Sequence, residues 1–440
     1  MKTLRKVIII LILAVLIGWI LFFVRKPKDE SSLPDNGTES QNDQSRQEDS
    51  TDKEDEERQP LNVTLTYATM SLDQQMERWI FEYNNAHEDC QIEVKVYGED
   101  DYETGLSRLN ADIASGEAPD LIDLSDIDVD AYMNKGLFAD LSAYIENKDD
   151  YVANLLRLYE NDGKIYGVTP GFRLETLLGK KENFSDNAGW TVEAMEDTIR
   201  KLPEGTLIID CLGAEGLLRI ALSVDMHQYV NWEERTCSFD SAEFLGLLEL
   251  AATMDESSVD DIEESLGKGT VLLDRAYIGS IDDYKSACDN FGGAEVTCVG
   301  YPSQEGGKSL IYPYLPIAIS DTCANKEQAW QFVDSLLGEE FQSKYIVFNL
   351  PIRKSALERK FEDAMTLKEG FGNTVENLPT EAQAAEMYEM MDTACGNNKI
   401  NETIWNIVDE EAVYYFNNEK TAQEVAKVIQ NRVELYLAEN

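Results

Sequence analysis

Basic residues are scarce. Lys and Arg number 38 against 84 Asp and Glu, a formal net charge of −46. Nucleic acid needs cationic side chains on its phosphates, so it is excluded as a partner. Docking on an anionic lipid surface is excluded for the same reason. An acidic solvated surface remains, with an acidic site for a cationic ligand as the alternative. Histidine is nearly absent. His87 and His227 cannot supply a His-based metal centre, and they poorly supply a Ser/His/Asp triad. The seven cysteines are Cys90, Cys211, Cys237, Cys288, Cys298, Cys323 and Cys395, none spaced as CxxC. That removes the zinc and thiol-redox signatures, and the odd number leaves a free thiol in a monomer. No cysteine precedes Cys90, so none near the N-terminus could carry a lipid. Asp126, Asp128 and Asp130 begin like a calcium loop. Ala131 at its sixth position and Leu137 at its twelfth exclude an EF-hand. Neither a metal nor a cofactor is expected.

The chain is long, 440 residues, and 43% hydrophobic. That is too much for one core and right for two or three. Val7–Val24 holds no charge and, as a helix, would reach about 27 Å, enough for a bilayer core. Lys2, Arg5 and Lys6 precede it; Arg25, Lys26 and Lys28 follow, so flanking charge does not orient it. A cleaved signal peptide would end in an A-x-A-like site, which is missing. Residues 1–24 are therefore expected to be a transmembrane signal anchor. Residues 25–60 are polar and acidic, a composition that cannot build a core, and read as a disordered linker.

Past residue 61 the pattern alternates. Asn62–Tyr67, Gln91–Tyr97 and Asp120–Leu124 read as strands, with helices at Leu72–Asn84 and Tyr102–Ala114 between them. Further helices are expected at Ser142–Ile145 and Tyr151–Tyr159. Asn161–Phe184 then holds a turn at Asp162-Gly163, a break at Pro170-Gly171 and a second apolar run. It reads as the crossover from one lobe to another. Beyond it, strands are expected at Leu207–Asp210, Thr270–Leu273 and Val296–Val299, followed by helices to the C-terminus. The last, Thr421–Leu437, starts with a Thr421/Glu424 capping box. The fold class is α/β, with two doubly wound lobes.

Four stretches carry a family resemblance: Gly116–Leu141 (GEAPDLIDLSDIDVDAYMNKGLFADL), Asp162–Val168 (DGKIYGV), Gly189–Met195 (GWTVEAM) and Tyr415–Leu437. In this order the chain, from about Leu61 onward, resembles the extracellular solute-binding proteins of ABC importers, in the branch that binds sugars and oligosaccharides. The resemblance implies a periplasmic-binding-protein-like fold whose lobes, joined by a multi-crossing hinge, close on a ligand. The first lobe would take 61–172 and 312–350, the second 173–311 and 351–440. It also implies a binding protein without enzymatic activity that passes a carbohydrate to permease subunits; with the anchor read from Val7–Val24, in place of the lipid-bearing cysteine of many members, a membrane-tethered monomer is expected. The sequence departs from the family at LLDRAYIGS and at Gly179-Lys180, both cleft-forming positions.

Ligands in such sheets sit beyond the carboxyl ends of strands. This selects Tyr67, Thr69 and Met70 after the first strand, and Ser125 and Asp126 after DLIDL. It also selects Phe172 and Arg173 in the crossover, Arg275 and Tyr277 after TVLL, and Tyr312 with Tyr314 at the return. Tyr67 and Phe172 would stack on a sugar; Asp126, Arg173 and Arg275 would hydrogen-bond. Ordinary packing is the competing reading at each position. Two functional alternatives remain. One is a ligand sensor or scaffold without import. The other is a tethered glycoside hydrolase, for which 84 acidic residues offer no specific pair.

Overall fold

The computed structural model describes residues 63–99, 101–184, 191–232, 234–366, 378–396 and 401–439. The apolar run Val7–Val24, the acidic linker and Trp190 lie outside them. Among the described residues no helix is long and apolar enough to cross a membrane.

The strands, in chain order, are β1 (Val63–Thr69), β2 (Cys90–Val96), β3 (Leu121–Asp123), β4 (Glu160–Asn161), β5 (Lys164–Ile165), β6 (Gly171–Lys180), β7 (Leu207–Ile209) and β8 (Val230–Asn231). They continue with β9 (Thr236–Cys237), β10 (Val271–Ile278), β11 (Val296–Cys298), β12 (Leu310–Tyr314), β13 (Ile317–Ile319), β14 (Leu350–Pro351) and β15 (Cys395–Gly396). Two sheets organise the fold. The first has the order β13-β3-β1-β2. β1 runs parallel to both β2 and β3, and β13 closes the edge antiparallel. Helix Gln74–Ala86 connects β1 to β2 and buries Met76, Trp79, Ile80 and Tyr83, one face at helical spacing. Its rings meet a later part of the chain: Trp79 lies 5.2 Å from Phe341, and Tyr83 lies 5.0 Å from Phe332.

The second sheet has the order β15-β12-β6-β10-β7, with β11 and β14 also on β6. It differs from the expected doubly wound sheet. β6 is antiparallel to β10, β12, β11 and β14, while β10–β7 and β12–β15 are parallel. The reason is the length of β6. Its ten residues give room for four partners, β10, β11, β12 and β14, all of which run against it, so the sheet is mixed rather than parallel.

The chain passes between the sheets three times in one place. Val168 bridges Ile317 just before β6 opens; β12 ends at Tyr314 just before β13; and β14 pairs with the first residues of β6. Buried side chains from both sheets, Leu65 and Ile319 together with Leu174 and Ile278, share one core.

Several elements differ from expectation. Ser142–Ile145 is a turn, because Ser142 Oγ accepts from the Ile165 amide and Asp140 Oδ1 from the Ser142 amide. Helix forms only at Ala153–Leu156 within Tyr151–Tyr159. Helices Ile262–Lys268 and Ile281–Asp289 were not expected. The second begins with charged residues, and only Ile281, Tyr284 and Ala287 mark its buried face. The Thr421/Glu424 capping box forms as read, and Trp79 and Trp405 are core. Cys90, Cys211, Cys237, Cys288, Cys298 and Cys323 are free thiols.

Candidate functional site

β6 reads GFRLETLLGK, and its alternation separates two chemistries. Phe172, Leu174, Thr176 and Leu178 point one way; Arg173, Glu175 and Leu177 point the other. Register extends the second face. Tyr312 sits opposite Arg173 and Tyr314 opposite Gly171 on β12; Tyr277 sits opposite Glu175 and Arg275 opposite Leu177 on β10. Arg173, Glu175, Arg275, Tyr277, Tyr312 and Tyr314 therefore share one sheet face beside the three crossings. Four of the expected site residues, Arg173, Arg275, Tyr277 and Tyr312, are brought together here.

Leu177 is roofed by residues of helix Ala214–Tyr229, and the face opens progressively toward Arg173. Glu175 is fully buried at the transition. Its Oε1 accepts from Arg275 Nε at 2.5 Å and from the Tyr301 hydroxyl at 2.5 Å, while Oε2 has no hydrogen-bond partner among the described residues. The Arg275 guanidinium lies 5.2 Å from the Tyr277 ring. Burial and the Glu175 charge push the Tyr277 and Tyr312 phenols above their usual range, so both remain protonated donors. Tyr314 donates to Asp73 Oδ1 at 3.0 Å, linking this floor to the helix that follows β1. Tyr277 is 54% exposed and borders a cavity of about 300 Å³ with Arg173, Ser280, Asp283, Val347 and Phe348.

The expectation that Tyr67 and Phe172 present stacking faces is corrected. Their exposures are 1% and 0%. Tyr67 faces inward from β1, which has a strand on each side, and Phe172 falls on the core face of β6. Thr69 and Met70 are also buried, and Arg275, Tyr277, Tyr312 and Tyr314 lie within strands rather than after or beside them. β10 runs five residues past the expected LL because Ala276 and Ile278 continue the inward alternation.

At the carboxyl ends of β1 and β3, Asp123 is a hub. Its Oδ2 accepts from Thr69 Oγ1 at 2.7 Å and from the Tyr67 hydroxyl at 3.3 Å; its Oδ1 accepts from the Ser125 amide at 2.9 Å. Ser125 and Asp126 are exposed, and the Tyr102 hydroxyl donates to the Asp126 carbonyl at 2.5 Å. Burial, then the charges of Asp126 and Glu402, raise the Tyr102 phenol. Sequence reading missed Asp73, Asp123, Glu175, Val347 and Phe348. Glu175 alone carried a signal, the lone acid of the strand GFRLETLLGK.

Donors, acceptors and rings on one face can orient a polar ligand with apolar ring faces. The protein classes that fit are those in which two α/β sheets meet at adjacent crossings to form a binding cleft. The structure resembles the sugar-binding protein MalE from Xanthomonas citri (TM-score 0.60, 13% identity, 86% of this chain and 98% of that one). It also resembles the cyclic alpha-maltosyl-1,6-maltose binding protein from Arthrobacter globiformis (TM-score 0.57, 17% identity, 86% and 100%). A third similar structure is an ABC substrate-binding protein from Listeria monocytogenes in complex with cycloalternan (TM-score 0.53, 16% identity, 86% and 99%). No curated protein matches by sequence. The model of the bacterial extracellular solute-binding protein family matches residues 79–369, well over half of the chain. The chain belongs to that family.

Proposed function

We propose that this protein captures a carbohydrate outside the cell and delivers it to an ABC permease, without chemical change to the ligand. The observation that carries this reading is the shared face of Arg173, Arg275, Tyr277, Tyr312 and Tyr314 at the three crossings. Planar hydrogen-bonding groups interleaved with rings suit a sugar, whose hydroxyls need directional partners and whose CH faces need apolar ones. The solved structures named for sugars and oligosaccharides support the same ligand class. Ser125 and Asp126 would approach from the first sheet, with Thr69 and Met70 supporting them from the core.

In this reading the lobes are 61–172 with 312–350 and 173–311 with 351–440, and the protein works as a monomer. Ligand binding favours a closed arrangement of the lobes, and closure is what the permease reads. Val7–Val24 anchors the chain, and the acidic linker keeps the body outside the membrane near its transporter. Thermal unfolding of the full-length protein against mono- and oligosaccharides, peptides and polyamines tests the ligand class. A sugar at about 100 times its Kd stabilises by about 2.7 kcal/mol. A response to polyamines alone would replace the carbohydrate by a cation.

A further inference from the structure

Between helix Glu339–Lys344 and β14, the chain exposes two adjacent apolar residues, Val347 at 49% and Phe348 at 74%. Their backbone explains the orientation. Four consecutive carbonyls each accept from a cationic side chain. Lys360 Nζ donates to the carbonyls of Ile346 (3.1 Å), Val347 (2.8 Å) and Asn349 (2.5 Å). Arg173 Nε donates to the Phe348 carbonyl at 3.3 Å and to Asn349 Oδ1 at 3.0 Å. With its polar edge held inward, the loop turns its side chains out. Charge-assisted bonds of this kind are stronger than neutral ones, and Lys360 is only partly solvent-exposed, so the arrangement is fixed. Gly279 packs against the same carbonyl that Arg173 holds: a Cβ there would overlap the Phe348 carbonyl oxygen.

This loop is not an isolated surface feature. Val347 and Phe348 line the same cavity as Arg173 and Tyr277. Arg173 thus belongs to both the cleft floor and the loop's support. The cavity has one exposed ring from β10 and another from the loop.

We propose that Val347-Phe348 is a fixed apolar thumb that covers the CH-rich face of a bound sugar, with Tyr277, and that Lys360 is the positioning residue that holds it. This rests on the carbohydrate reading above and adds what that reading does not contain: a gripping element outside both sheets and the lysine that sets it. Rings in such sites contribute buried area and favourable contact geometry. A ring displaced by a floppy loop contributes little.

The test is calorimetric titration of the full-length protein with maltotriose, cellotriose, xylotriose and raffinose. The variants are Phe348→Ala, Lys360→Met, their combination, and Phe81→Ala as an exposed ring outside this cavity. Phe348→Ala and Lys360→Met are each expected to weaken the bound sugar about tenfold. The combination is expected to be no weaker than Phe348→Ala, and Phe81→Ala to match the wild type. Gly279→Ala, whose methyl displaces the Phe348 carbonyl, is expected to reproduce the loss if Lys360→Met fails to fold. Unchanged affinity in Phe348→Ala overturns the thumb. Additive losses in the combination overturn the positioning role of Lys360. Wild-type protein that binds none of the four sugars overturns the carbohydrate reading itself, a result distinguishable from the other two.

Discussion

Arg275→Met should expose the energetic cost of the carboxylate beneath the cleft floor. Glu175 is completely buried, and Arg275 Nε donates to its Oε1 beside the Tyr301 hydroxyl. Removing one partner of a buried pair leaves a charge with nothing to replace the lost solvation, typically a loss of 3–5 kcal/mol. The Arg275 side chain is 28% exposed, so water can reach part of the vacated space. That places the expected loss at the lower end, about 3 kcal/mol. Urea denaturation followed by circular dichroism reads it directly. Because replacing both partners removes the uncompensated charge, Arg275→Met with Glu175→Leu should recover at least ~1 kcal/mol of that loss. A loss below ~1 kcal/mol in the single variant, or a double variant less stable than the single, would refute the reasoning.

Two further outcomes are expected. Burial lowers the Lys360 ammonium to about 8, against the upward pull of Asp283 and Asp282. The unfolded chain keeps that proton to about pH 10.4, so between pH 8 and 10 the unfolded state binds more protons and the Lys360 contribution to stability rises with pH. Sugar affinity should move the other way, because a neutral amine has two N–H groups for three carbonyls. Unfolding and titration at pH 7.5 and 9.5, each compared with Lys360→Met, check both signs. Asp73→Ala should cost about 1–2 kcal/mol in urea denaturation, since Asp73 Oδ1 caps helix Gln74–Ala86 through the Gln75 and Met76 amides and also accepts from Tyr314. Tyr314→Phe keeps the cap and should cost less than Asp73→Ala does.

The sequence made the α/β alternation, the crossover near Pro170 and the cap of the last helix legible, because those depend on local signals: period-two and period-3.6 patterns, and Thr421 with Glu424 at a cap position. The choice of Arg173, Arg275, Tyr277 and Tyr312 rested on position at strand ends and on the crossover. Those residues fall on the open face of β6 and its neighbours, where the proposed ligand would sit. Tyr67 and Phe172 failed for a reason invisible without register: one residue's shift along a strand exchanges cleft for core. Antiparallel pairing in the second sheet, and the meeting of Lys360 with the carbonyls of 346, 347 and 349, depend on long-range contacts that no local pattern encodes.

The central claim is that a carbohydrate binds on the shared face at the three crossings. Calorimetric titration of the full-length protein with the four oligosaccharides, beside Tyr277→Ala, tests it most directly. The account predicts saturable binding of at least one sugar by the wild type and a loss of about tenfold or more in Tyr277→Ala. Binding that is indifferent to Tyr277, or no sugar binding at all, would contradict it.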